Sequence, residues 1–203
     1  MAKNADFPPY LETCLNFANT MDWHASTQPI ETLYQYADLV AWAQRTNLLS
    51  SEEATELTAQ AGRFPSKAAK VLAQAIDLRE TIYRIFVAVA TEQPVAPADL
   101  ASLNAALPAA YGHLNIVQTV DGFVWGWAGR DDELDRILWP VMRSAADLLM
   151  ADARDRVRQC ADDRGCGYLF IDTTRNHSRR WCTMEGCGNR AKARRHYSRA
   201  VRQ

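Results

Sequence analysis

The chain has 203 residues, of which 48% are hydrophobic and 23% charged, a balance that is typical of a folded globular protein and excludes a disordered chain. This length allows one large domain, or one medium domain with a small module. No apolar run approaches the roughly 18 residues of a membrane span, and residues 1–9 lack the apolar core of a secretion signal. We therefore expect a cytoplasmic protein with reduced cysteines and no membrane partner.

Charge is distributed unevenly along the chain, although the net charge is only −1. Residues 1–150 carry 10 Lys+Arg and 18 Asp+Glu, whereas residues 151–203 carry 13 and 6. Four of the five cysteines also lie in the basic segment. Such a division predicts two parts with different roles, and we place them at residues 1–155 and 156–203.

The first part shows mostly helical periodicity. After a short apolar stretch at residues 11–18, the spacing of apolar residues and the capping signals predict helices at 31–46, 51–62, 66–91, 99–110 and 133–158. Pro140 should kink or delay the start of the last helix. Asp121 and Gly122 predict a tight turn between strands at 113–120 and 123–128. We therefore expect a mainly α body with one β-hairpin.

The second part contains two short-spaced cysteine pairs, which are separated by fifteen residues: Cys160, Cys166, Cys182 and Cys187. Zinc prefers soft thiolates in a tetrahedral arrangement, and a segment this small and charged cannot build its own core. Buried cysteines or disulfides explain the pattern less well. The spacing predicts one structural zinc ion with four thiolate ligands, which leaves no open position for catalysis. Cys14, alone in an apolar stretch, is expected in the core.

Between the cysteine pairs, residues 168–171 predict a strand and residues 180–182 a returning strand. Residues 191–201 have the composition of a helix. Each short-spaced cysteine pair would form a zinc knuckle. The order of knuckle, hairpin, knuckle and helix resembles a treble-clef or ribbon-like zinc fold. The predicted fold class is thus mainly α with a β-hairpin: a helical N-terminal domain with a small C-terminal zinc module.

Residues 181–190 end in Cys187-Gly188-Asn189-Arg190 and resemble the CGNR zinc-finger family. Residues 15–20 resemble the opening motif of the ABATE domain that precedes the finger in this family, although an aspartate is more usual there than Asn16. Residues 78–80 and 138–140 fit the later helices of that domain. The resemblance covers nearly the whole chain and implies a stress-induced transcription regulator that binds nucleic acid.

Basic residues surround and follow the cysteine pairs. We expect eight of them to contact phosphate: Arg175, Arg179, Arg180, Arg190, Lys192, Arg194, Arg195 and Arg199. DNA or RNA is therefore the predicted partner, and the sequence does not choose between them. Because the body is acidic, the alternative is a protein–protein adaptor whose basic module docks on an acidic partner or on its own body.

A polar cluster precedes the first long helix and suggests a pocket for a small-molecule effector: Asn16, Asn19, Thr20, Asp22 and His24. Capping and turn roles are the alternative interpretation of these residues. We expect the body either to sense such an effector or to pair two chains as a homodimer. The sequence lacks a glycine-rich phosphate loop, G-x-S-x-G and H-E-x-x-H, so no enzymatic activity is expected.

Overall fold

The computed structural model describes residues 7–129 and 133–200, without the side chains of residues 195, 196 and 198–200. Within these residues the helices are Thr13–Ala18 (α1), Tyr36–Arg45 (α2), Ser51–Arg63 (α3), Pro65–Ala90 (α4), Pro97–Tyr111 (α5), Leu138–Met150 (α6) and Asn189–Ala200 (α7). The strands form three antiparallel pairs: Met21–Asp22 (β1) with Ile30–Glu31 (β2), Leu114–Thr119 (β3) with Gly122–Trp127 (β4), and Val157–Gln159 (β5) with Leu169–Ile171 (β6).

The central helix of the body is α4, which packs against α1, α2, α3 and α5. Its buried side chains recur every three or four residues, so that one face of the helix enters the core. Phe17, Phe86 and Trp139 are fully buried around it. Cys14 lies in the same core, as predicted, and burial raises the pKa of its thiol to about 12. None of the described helices is both long and apolar enough to cross a membrane.

Helices α3, α4 and α5 and the β3–β4 hairpin confirm the sequence prediction to within a few residues. Helix α2 begins at Tyr36, five residues later than predicted, because Ile30 and Glu31 pair with β1 instead. Asp38 fixes this start, since its carboxylate accepts a hydrogen bond from the main-chain N–H of Gln35 at 3.0 Å.

The predicted helix at 133–158 is wrong at both ends. Leu134–Ile137 is a 3₁₀ turn, and the α-helix begins only at Leu138, so that Pro140 lies in its first turn, where no N–H is needed. After Met150 the chain passes through a second 3₁₀ turn, Asp152–Arg156, and becomes strand β5. Pairing with β6 and burial of Val157 outweigh the helical propensity of this segment.

The predicted strand at 168–171 is confirmed, but its predicted partner is wrong. Strand β6 pairs with β5, Val157 opposite Ile171, and not with residues 180–182. Residues 180–182 instead contact the chain just after β5: the Ala161 N–H donates to the Arg180 carbonyl at 2.8 Å, and the Cys182 N–H donates to the Cys160 Sγ at 3.4 Å. Both Leu169 and Ile171 are buried in the main core. The β5–β6 sheet therefore packs with the helical body.

Candidate metal centre

The four cysteine sulfurs of the C-terminal segment converge, with all Sγ atoms within 4.8 Å of one another. The Sγ of Cys182 is 3.8 Å from that of Cys166 and 3.5 Å from that of Cys187. A tetrahedral zinc ion with zinc–sulfur distances of about 2.3 Å requires sulfur–sulfur distances of about 3.8 Å. The four cysteines are therefore positioned to bind one zinc ion.

The closeness of the four sulfurs also changes the acidity of the thiols. A hydrogen bond from the Cys166 thiol lowers the pKa of Cys160 to about 5 and raises the pKa of Cys166. Burial raises the pKa of Cys187 to about 12. Four thiolates this close repel one another, so zinc binding must displace protons and supply the compensating charge. Four sulfur ligands leave no position for water, which makes the site structural.

The two cysteine pairs are attached to different parts of the fold. Cys160 continues β5, since its N–H donates to the Tyr168 carbonyl at 2.8 Å. Cys187 lies in the turn Met184–Gly188 that leads directly into α7, and the Thr183 hydroxyl caps that turn by accepting from Gly186 N–H at 3.1 Å. A metal ion bound here would tie the β5–β6 sheet to the first turn of α7.

Arginine side chains hold the start of α7 against the loop that contains Cys160 and Cys166, which we call the cysteine loop. Arg190 donates from Nη2 to the Cys187 Sγ at 2.8 Å, and its Nε lies 3.3 Å from the Asp162 carboxylate. The fully buried Asp162 side chain also pairs with Arg164 and Arg194 at 3.4 and 3.5 Å. Burial by itself would raise the pKa of Asp162, but the hydrogen bonds from Arg164 and Arg190 lower it well below its usual range.

The cysteine loop also rests on the body at residues 23–26. The Arg164 and Arg190 guanidinium groups lie 5.0 and 5.3 Å from the Trp23 ring centroid. Gly165 has a positive φ of 87°, and a Cβ there would lie 2.5 Å from the Ser26 Cα. Sequence reasoning did not foresee the roles of Trp23 and Asp162, because nothing near either residue indicates a partner that lies far along the chain.

The predicted phosphate-binding residues fall into two groups. Arg179, Arg190 and Arg194 make contacts within the module: Arg179, for example, lies 4.3 Å from the Phe170 ring centroid and donates to the Trp181 and Cys182 carbonyls. The side chains that are exposed are those of Arg175, Arg180 and Lys192. The side chains of Arg195 and Arg199 lie outside the described part of the chain.

The five polar residues of the predicted effector pocket do not surround one cavity. Asn16 and Asp22 are exposed and line separate depressions of about 250 Å³ each. The amide of Asn19 bonds to the Leu169 main chain, and the Thr20 hydroxyl donates to the Phe17 carbonyl. His24 Nε2 lies 2.9 Å from the Glu80 carboxylate, and its ring stacks on Tyr83 at 3.4 Å.

A larger groove of about 780 Å³ lies elsewhere, between α4 and α5. Buried Leu78, Leu138 and Met142 form its apolar floor, and small alanines of α5 leave it open. Asp77, Glu80 and Asp135 contribute carboxylates to its lining. This groove was not predicted, because its walls are three separate segments of the chain.

The comparison with protein families covers both parts of the chain. The ABATE family, described as "Putative stress-induced transcription regulator", matches residues 11–152, and the family described as "CGNR zinc finger" matches residues 156–200. Neither description is that of an enzyme. No curated protein matches the chain. The chain therefore belongs to the ABATE family and carries a CGNR zinc finger, whose four cysteines are positioned to bind zinc.

Proposed function

We propose that this protein is a cytoplasmic transcription regulator that binds nucleic acid through the surface around its zinc site. One observation carries the proposal: the described basic side chains of the module divide into those engaged in contacts within it and those that are exposed. Arg190 and Arg194 are engaged with buried Asp162, whereas Arg175, Arg180 and Lys192 face solvent. The exposed cations are thus available to an external anion on a segment that zinc keeps in place.

Charge supports a polyanionic partner. Residues 156–200 contain 11 Lys+Arg and 4 Asp+Glu, so a net positive charge persists after the internal ion pairs are formed. Neutralising phosphates releases condensed counterions, which makes binding strongly dependent on salt. With three to five phosphate contacts, the slope of log affinity against log salt should be about −2.7 to −4.5 on duplex DNA.

Fluorescence anisotropy with labelled duplex DNA, duplex RNA and single-stranded RNA, between about 50 and 200 mM salt, tests the proposal. The double variant Arg175→Gln/Arg180→Gln should weaken binding and reduce the salt slope. The matched control is Arg45→Gln/Arg63→Gln, which removes the same charge from exposed positions of α2 and α3. Absence of binding at the lowest salt, or equal loss in both variants, contradicts the proposal. Binding to polyglutamate but to no nucleic acid would favour the adaptor alternative.

We further propose that the body senses a small organic cation with an apolar portion, bound in the groove between α4 and α5. The volume of about 780 Å³ is in the range of small-molecule sites. Among the residues that the structure describes, no cation pairs with Asp77 or Asp135, whereas Arg84 is neutralised by Asp99 at 2.7 Å. An apolar floor beneath uncompensated carboxylates complements such a ligand.

A chain of contacts leads from this groove to the cysteine loop. Glu80 lines the groove and lies 2.9 Å from His24, which stacks on Tyr83 at 3.4 Å. The Tyr83 hydroxyl donates to the Gly167 carbonyl at 3.2 Å, next to Cys166. A cation that attracts Glu80 would compete with His24, and the shift would reach the zinc module.

Thermal denaturation with phenethylammonium, and with phenylacetate as the anionic control, tests this proposal. Only the cation should raise the melting temperature, and Asp77→Asn/Asp135→Asn should abolish the shift, whereas the exposed control Asp152→Asn should keep it. Equal effects of both probes, or none at millimolar concentration, contradict the proposed ligand class.

A further inference from the structure

The β3–β4 hairpin concentrates exposed apolar surface on a short segment. Seven large apolar side chains are exposed there: Ile116, Val117, Val120, Phe123, Val124, Trp125 and Trp127. The exposed fraction is 74% for Phe123 and 66% for Ile116. Isolated exposed apolar residues are ordinary on a protein surface, but a contiguous group indicates an interaction site.

The register places the aromatic residues on one face of the hairpin. Ile116 lies opposite Trp125, and Gln118 lies opposite Phe123, so these side chains point to the same side. Leu114 lies opposite Trp127 two residues further along, again on that side. We call Ile116, Phe123, Trp125 and Trp127 the aromatic face. Val120, which is fully exposed, lies at the tip.

Among the described residues, the hairpin is anchored to the body at its base and through Trp125, whereas its tip makes no such contact. The His113 ring stacks on Trp139 at 3.9 Å, and Trp127 approaches the same ring at 6.1 Å. The Arg143 guanidinium lies 5.1 Å from the Trp125 ring centroid. Neither strand packs extensively against any element other than its partner strand. Because two-stranded sheets are marginally stable alone, further packing would stabilise this hairpin.

The low charge of the hairpin indicates which kind of partner can cover its exposed apolar surface. Residues 113–128 contain a single charged side chain, Asp121, and no Lys or Arg. The hairpin itself offers no cation to a nucleic acid or an anionic membrane, and the Arg143 guanidinium beside Trp125 is already paired with Asp147 at 3.2 Å. The hairpin is, however, a nearly neutral patch on an acidic body, and so it is a place where two like-charged bodies can meet with little repulsion.

The available surface is close to what a dimer requires. The aromatic face and Val120 expose roughly 700 Å² of side chain, when an aromatic side chain is taken as about 150–250 Å². A standard interface buries about 800 Å² on each partner. In a two-fold dimer the same patch serves both copies, so no second complementary surface is needed.

We propose that two copies of the chain associate through the aromatic faces of their β3–β4 hairpins, about a two-fold axis. The dimer carries two zinc modules and two copies of α7. For a nucleic-acid-binding protein this arrangement doubles the phosphate contacts and allows two half-sites to be bound at a defined spacing. That last consequence rests on the proposed function, whereas the dimer itself does not.

Sedimentation velocity and light scattering on the full-length, zinc-loaded protein test the dimer. Wild type at about 10–100 µM should have twice the 22.8 kDa mass of one chain. The variant Ile116→Thr/Phe123→Thr, which keeps strand-forming residues, should weaken association by roughly 100-fold. The control is Tyr34→Thr/Met150→Thr, which removes two comparably exposed apolar side chains outside the hairpin and should dimerise like wild type.

A second variant tests the interface independently, in case the double threonine variant does not fold. Phe123→Lys alters one exposed position and brings two like charges into the two-fold interface, so it should be monomeric with an unchanged circular dichroism spectrum. In wild type, hydrogen exchange of residues 114–127 should slow as the protein concentration rises. A wild type that stays monomeric throughout, or hairpin variants that dimerise as tightly as wild type, overturns the proposal.

Discussion

The side-chain amide of Asn19 forms two hydrogen bonds with the main chain of Leu169, 150 residues further along. Its Nδ2 donates to the Leu169 carbonyl at 2.9 Å, and the Leu169 N–H donates to its Oδ1 at 2.8 Å. The amide therefore satisfies the outer edge of β6, as a neighbouring strand would, and ties α1 to the segment between the cysteine pairs.

Replacing this amide should destabilise the protein. Asn19→Ala leaves two main-chain groups of the buried Leu169 without their partners, at a cost of about 2 kcal/mol in the free energy of unfolding. Urea denaturation of the zinc-loaded protein measures the change. Asn16→Ala, an exposed asparagine one helical turn earlier, should have almost no effect. Equal stability of the two variants would show that the Leu169 bonds do not contribute.

Thiol reactivity should separate the five cysteines into two classes. The zinc-loaded protein should show no fast reaction with a disulfide reagent at pH 8, because metal protects four thiols and burial raises the pKa of Cys14 to about 12. A chelator should expose four thiols, and a denaturant the fifth. Titration with the reagent counts them, alongside the zinc that is released. A fifth reactive thiol before denaturation would contradict the burial of Cys14.

Arg190 should contribute to metal affinity. Its hydrogen bond to the Cys187 sulfur at 2.8 Å stabilises the charge of a zinc–thiolate group, and such outer contacts change metal affinity by about 10–100-fold. Arg190→Ala should therefore lower zinc affinity by about this factor in a competition with a chelator. Lys192→Ala removes the same charge from an exposed position of α7 and serves as the control. If the two variants bind zinc with equal affinity, the loss comes from the removed positive charge and not from the hydrogen bond to Cys187.

The ion pair between Arg79 and Glu31 should make stability depend on pH. Buried Arg79 binds both Glu31 oxygens at 2.6 and 2.7 Å. Burial tends to raise the pKa of Glu31, but the hydrogen bonds and charge of Arg79, together with the N–H groups of Thr32 and Leu33, outweigh burial and lower the pKa. Because the folded-state pKa lies below the unfolded value of about 4.3, this stabilisation is present above that value and is lost as the pH falls through the lowered pKa.

The corresponding variant is Glu31→Gln, which should lose about 2 kcal/mol at pH 7, because Glu80 is then the carboxylate that remains paired with the buried Arg79. The difference from wild type should shrink as the pH falls below the unfolded value of about 4.3 and through the lowered pKa of Glu31, because the wild-type carboxylate then also becomes neutral. Denaturation curves across this pH range give the result. Glu92→Gln, at an exposed position after α4, provides the control. A destabilisation that does not change with pH would remove the electrostatic explanation.

The features that sequence reasoning predicted correctly are those whose partners are neighbours in the chain. Helix α3 begins where Ser50 and Glu53 form reciprocal capping bonds at 3.2 and 2.8 Å. Strands β3 and β4 are joined by Val120 and Asp121, one residue earlier than predicted, and Gly122, which pairs with Thr119, has a positive φ of 127°. The errors were the late start of α2, the overlong last helix of the body, and the partner of β6, each of which depends on pairing with another segment.

The sequence by itself determined the helical class, the hairpin and the four zinc ligands, because capping, turn conformation and metal-ligand spacing act within a few residues. Only the tertiary structure decided that β5 pairs with β6, that Trp23 lies beneath Arg190, and that Asp162 holds the start of α7. These contacts depend on which distant segments meet when apolar surface is buried. Neither the spacing of apolar residues nor the composition specifies which distant segments pair, since many pairings would satisfy the same local preferences.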